Sequence, residues 1–189
     1  MGLPGAPPSS WLYDEGPDRR RPYRICYASS DEGGMDSSAA LQSRDSESGW
    51  MSAGGSTQSE LILDLGQIIN ITRISIRSHP ICPPSKIQVF GSKSSDYKAS
   101  RYRFLGELIF HLDLHGDLKF LFVDTRQRFV MFILSKAVED PQNRYGNVAL
   151  EFVEVCGRPR GDMAEASPER CGRQSSTGDA FCRACGAEL

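Results

Sequence analysis

Between Glu60 and His79 the chain reads ELILDLGQIINITRISIRSH. On an extended backbone Leu61, Leu63 and Leu65 fall on one side, and Glu60, Ile62 and Asp64 on the other. Further on, Ile74 and Ile76 alternate with Arg73, Ser75 and Arg77. A period of two with β-branched residues is the signal of a half-buried strand. The stretch Gly66-Gln67-Ile68-Ile69-Asn70 between the two runs is too short for a helix. The pattern therefore predicts two strands with a turn at Leu65-Gly66, in a sheet system rather than a βαβ unit.

The same alternation recurs along the chain. It predicts strands at Tyr23–Ala28, Lys86–Gly91, Tyr102–Phe110 and Asn147–Cys156, with Gly106 as a bulge or bend. Leu118–Asp124 and Arg128–Ser135 are two more, joined by Thr125-Arg126-Gln127. About eight short strands separated by turn residues, with no long helix, predict an all-β, antiparallel β-sandwich or jelly roll. Trp50, just before the first Leu-rich run, is either a plug at one end of the core or an exposed aromatic for a ligand.

Outside these runs the composition changes. Residues 1–21 hold four prolines and the run Arg19-Arg20-Arg21, and predict a disordered leader. The sandwich is expected over residues 22–157. Residues 158–170 are polar and Pro/Gly-containing, a linker, and residues 171–189 form a small tail. The polar stretch from Ser29 to Ser48 is a loop whose acidic groups, Asp31, Glu32, Asp36 and Asp45, lack the regular spacing of a dedicated calcium loop.

With 189 residues and 39% hydrophobic content the chain can bury one core, and a net charge of −2 does not suggest a nucleic-acid partner. No apolar run reaches the roughly 18 residues of a membrane span. The start of the chain shows no apolar signal region, so the expected compartment is the cytoplasm, with the six cysteines reduced or metal-bound.

The tail carries the sharpest local chemistry. Cys182-Arg183-Ala184-Cys185-Gly186 has the form of a zinc knuckle, in which two thiolates share one tetrahedral ion. Cys171 stands where a first knuckle would end, but Pro168 occupies the position of its other thiolate. Three ligands are visible, and Cys156 or a partner's side chain would have to supply the fourth. Cys26 and Cys156 bracket the sandwich and are expected as buried free thiols. His111 and His115 share a loop with Asp113 and Asp117, an ordinary polar hairpin loop without a nucleophile motif beside it. No nucleophile elbow, phosphate loop, dinucleotide fingerprint or zinc-protease motif occurs, so no enzyme is expected. Basic pairs at Arg101/Arg103, Arg126/Arg128 and Arg158/Arg160 would face an acidic partner if the fold brought them together.

Several signatures recur in a fixed order. They are Gly49-Trp50-x-Ser52, Glu60 to Leu65, Ile71-x-x-Ile74-x-Ile76-x-Ser78-His79 and Ser85-Lys86-Ile87. Arg103-Phe104-Leu105-Gly106, Val123-Asp124, Phe129 and Asn143-x-Tyr145-x-Asn147-Val148-Ala149-Leu150 follow. Over about residues 23–157 this resembles the N-terminal jelly-roll domain of a centrosomal and ciliary-tip protein family whose members also carry a tubulin-binding domain and zinc fingers. More loosely it is similar to the small jelly-roll subunit of the intraflagellar-transport B complex. The resemblance implies a discoidin-like, galactose-binding-like sandwich. It implies a non-catalytic protein-interaction module of the cytoskeleton, at the cilium, axoneme, centrosome or basal body. Its partners would be proteins of those structures, tubulin among the candidates. In discoidin-like folds loops at one end form the ligand face, which singles out Trp50, His79, Arg103, Asn143 and Tyr145 as rim residues. The alternative that the fold class offers is a module binding glycan, anionic lipid or calcium through those loops.

Overall fold

The computed structural model describes residues 19–29, 41–43, 49–113 and 116–159. The leader before Arg19, most of the acidic loop, His115 and the cysteine-bearing tail lie outside these residues. The described elements are β1 (Arg19–Arg21), β2 (Arg24–Ala28), β3 (Trp50–Met51), β4 (Gln58–Ser78), β5 (Lys86–Ser92), β6 (Arg103–Ile109), β7 (Leu118–Ser135) and β8 (Ala149–Pro159). Every pairing among them is antiparallel.

Two long strands organise the fold. The first half of β4, Gln58–Asp64, pairs with Phe129–Ser135 of β7, and its second half, Ile69–Arg77, pairs with Leu118–Gln127. The two strands thus form one ribbon that folds over at residues 65–68. On one side of the fold the ribbon is flanked by β2 and by β5 and then β6, giving sheet I in the order β2-β4-β7-β5-β6. On the other side β8 joins the second half of β4, and β1 and β3 line its far edge, giving sheet II. The turn expected at Leu65-Gly66 is therefore the corner between sheets. The strands expected at 118–124 and 128–135 are one bent strand for the same reason. Gly66 has φ +75°, a conformation that L side chains resist, and its N–H donates to Asp64 Oδ1 at 2.8 Å.

Burial follows the alternation. Leu61, Leu63, Val130, Phe132 and Leu134 of sheet I face Ile69, Ile71, Ile74, Ile76, Val153 and Val155 of sheet II in one core. Trp50, fully buried, closes that core beside Leu150. The bend foreseen at Gly106 is a bulge at Leu105 next to it. Arg19–Arg21, expected in the leader, instead adds a strand to β8. Its guanidiniums find partners there: Arg21 Nε donates to the Gly157 carbonyl at 2.8 Å, and Arg20 lies 5.4 Å from the Phe152 ring centroid.

The corner is held by charge. Asp64 is 3% exposed and accepts from Arg128 Nε at 3.2 Å and from Arg24 Nη2 at 3.1 Å. Burial by itself would raise its pKa. The hydrogen bonds from Arg128, the Gly66 amide and Arg24 outweigh burial and hold the carboxyl below its ordinary value.

Candidate functional site

Two surfaces present chemistry. The first is the loop end that the sequence pointed to. Residues 52–57 and 136–148 meet there, joined by a Gly55 N–H to Tyr145 carbonyl bond of 2.7 Å. An open groove of about 690 Å³ lies between them, bordered by Ser56, Thr57, Lys136, Asp140 and Asn143. Tyr145, at the same loop end, is 80% exposed. Asn143 is occupied with structure: its Nδ2 donates to the Asn147 carbonyl at 2.8 Å and its Oδ1 accepts from the Asn147 N–H at 3.0 Å. Asn147 Nδ2 donates in turn to the Ser52 carbonyl at 3.0 Å. His79 Nδ1 accepts from the Ile81 N–H at 3.1 Å and closes its own turn.

The structure brings His79, Asn143 and Tyr145 to this end and separates the other two rim candidates from it. Trp50 is paired with Leu150 of β8 and fully buried in the core, so it is no rim residue. Arg103 pairs with Gly91 at the opposite end, next to the corner. Cys156 lies buried in β8, where Arg73 Nη2 donates to its Sγ at 3.2 Å. Burial and then Glu154 push that thiol above its ordinary pKa. Cys26, Cys82 and Cys156 are free thiols. Cys171, Cys182 and Cys185 fall outside the described residues.

The second surface was not foreseen. It is the outer face of sheet II, where three rows cross β7, β4 and β8: Leu118–Arg77–Phe152, Phe120–Ser75–Glu154 and Phe122–Arg73–Cys156. Leu118, Phe120 and Phe122 are 36%, 47% and 75% exposed, and the two phenyl rings stack with centroids 6.4 Å apart. Arg73 Nη2 bonds Glu154 Oε2 at 3.1 Å, and a 250 Å³ hollow lies between Phe120, Phe152 and the two β4 arginines. Arg126 and Arg158 flank Asn70 in the next row, so one residue from each of two predicted basic pairs does converge here. Arg128 turns instead to Asp64. The signal was present in LKFLFVD: apolar residues at both parities give a sandwich strand an apolar outer face as well as an inner one.

The architecture is that of galactose-binding-like jelly-roll modules. The family 32 CBM from C. perfringens NanJ in complex with galactose aligns with TM-score 0.58 at 13% identity, covering 74% of this chain and 98% of that one. Chitosan-binding module 1 of a Paenibacillus sp. IK-5 chitosanase/glucanase aligns with TM-score 0.54 at 17% identity, covering 71% and 93%. A structure of reduced XRCC1 bound to the DNA pol beta catalytic domain aligns with TM-score 0.57 at 16% identity, covering 74% and 99%. At these identities the likeness is one of fold. No curated protein matches the chain in sequence. Residues 49–157, which hold the folded ribbon, both surfaces and Trp50, match the family model described as Centrosomal protein CEP104, N-terminal domain, and the chain belongs to that family.

Proposed function

We propose that this chain is a non-catalytic protein-interaction module of a centrosomal or ciliary, microtubule-associated assembly. The exposed row Leu118, Phe120 and Phe122 carries the reading. Stacked aromatics on the outside of a sheet cost solvation free energy unless a partner covers them, and aromatic anchors dominate protein interfaces. Membership of a centrosomal family supports the setting. The test is affinity capture of the tagged chain from ciliated cells, beside a Phe120→Ser, Phe122→Ser variant of unchanged melting temperature. Centrosomal or ciliary proteins should be recovered with the parent chain and lost with the variant. Recovery that is equal for both, or blank for both, refutes the reading.

A second reading rests on the loop-end groove, with the hydroxyls of Ser56 and Thr57 and with Asp140, in a fold shared with galactose- and chitosan-binding modules. It assigns a glycan, anionic lipid headgroup or calcium ion to that groove. A glycan array, a vesicle pull-down and a calcium thermal shift that are all blank remove it.

A further inference from the structure

We propose that the outer face of sheet II, with the open edge of β7, binds an extended acidic segment of a partner protein that adds as a further strand beside Leu118–Val123. The inference rests on the protein-interaction reading and names the chemistry of the partner.

Three observations carry it. The first is charge. Arg20, Arg73, Arg77, Arg126 and Arg158 share this face by register, against Glu154 and Asp124, and Arg126 on β7 and Arg77 on β4 stand nearest the open edge. The face is thus net positive, which favours carboxylates. The second is an available cation. Arg77, half-buried in the row between Leu118 and Phe152, has no ion pair among the described residues. A guanidinium in that condition gains from a carboxylate acceptor. The third is the edge. Leu118–Val123 pairs with β4 on one side and with no strand on the other among the described residues. β6 approaches this strand without pairing with it, and Leu121 is seated on Gly106.

An unpaired edge rich in apolar residues is a template for pairing, which proteins ordinarily blunt or cover. An added strand would take the free main-chain groups of β7 and lay every second side chain on the outer face, next to Phe120 and Phe122. Apolar side chains there would extend the phenyl row, and acidic ones would reach Arg77 and Arg126 at its two ends. A nucleic acid or a lipid surface could use the arginines but not the main-chain edge, so the edge favours a peptide.

The test uses the full chain and fluorescein-labelled short peptides in which Glu alternates with Phe, Tyr, Leu or Val, read by anisotropy. Controls carry Lys for Glu, or N-methyl groups on every second backbone amide. The acidic peptides should bind, the Lys set should not, and N-methylation along one edge should abolish binding. Arg77→Glu and Arg126→Glu, both surface changes, should each weaken binding by about tenfold or more and leave the melting temperature in place. Binding indifferent to N-methylation overturns strand addition. Blank peptides, or stronger binding to single-stranded nucleic acid or phosphatidylserine vesicles, overturn the proposal. If the peptides are blank while cellular capture still depends on Phe120 and Phe122, the interaction reading survives and this one falls. If capture is blank as well, both fall.

Discussion

Replacing Asp64 by Asn tests the account of the corner most directly. The substitution keeps the shape of the side chain and an oxygen for the Gly66 N–H. It removes the charge that faces Arg128 and Arg24. Hydrogen bonds to charged groups contribute roughly 1.5–3 kcal/mol each, and exposed ion pairs about 0–1. Arg24 is 74% exposed and belongs to the weaker class, whereas Arg128 is 27% exposed and Asp64 only 2%. The expected loss near neutral pH is therefore about 2 kcal/mol, or roughly 4–8 °C in melting temperature for a domain of this size. Asp64→Ala also strips the Gly66 amide of its acceptor and should cost about 1 kcal/mol more. The pH dependence discriminates further. The folded-state pKa lies below the unfolded value of about 3.9, so the carboxylate's contribution is full above that value and is lost as pH falls through the folded pKa. Urea titrations of both proteins should show the gap close in strong acid. A gap under about 0.5 kcal/mol at neutral pH, or one that stays constant into strong acid, refutes the corner's electrostatic account.

Other expectations follow from single positions. Gly66→Ala meets no neighbouring atom, so its cost is the backbone's alone, about 1 kcal/mol by chemical denaturation; a neutral result means the positive φ is not held. Trp50→Ala should cost about 3–5 kcal/mol by chemical denaturation, and Tyr145→Ala should leave stability unchanged. Burial, with Asp140 adding to it at Cys82 and Glu154 at Cys156, pushes both thiols above their ordinary pKa. Alkylation mapped by mass spectrometry at mildly alkaline pH should reach them only as fast as the chain unfolds. For the tail, we propose that Cys182→Ser lowers bound zinc, measured by elemental analysis, and leaves the melting temperature of the sandwich unmoved.

Alternation in 60–65 and 73–77 announced strands and their inner faces, the apolar runs 118–124 and 128–135 announced two more strands, and the ordered signatures announced the jelly roll. What alternation does not carry is pairing. Leu65-Gly66 is the same dipeptide whether a chain turns back within one sheet or folds from one sheet to the next. The difference lies in β7, some 60 residues later, which follows it around the corner. Trp50 was ambiguous because a two-residue strand has no period to read. Arg19–Arg21 looked like solvated charge because its ladder partner, β8, is distant in sequence. Apart from Arg103, the rim candidates were drawn from loops or strand ends, where function often sits. Phe120 and Phe122 lie inside a strand and were not among them.

The folded ribbon has a consequence for how the protein comes apart. β4 and β7 each belong to both sheets, so neither sheet can open without breaking the ladder that builds the other. Amide exchange in Leu61–Leu63 and Ile74–Ile76 should therefore be limited by one shared global opening. The short strand β1, attached along β8 alone among the described residues, can fray well below that threshold. Assembly inverts the order. The slow event is closure of the long loop between the two arms of the ribbon, and once it has formed, both layers of the sandwich acquire their central strands together.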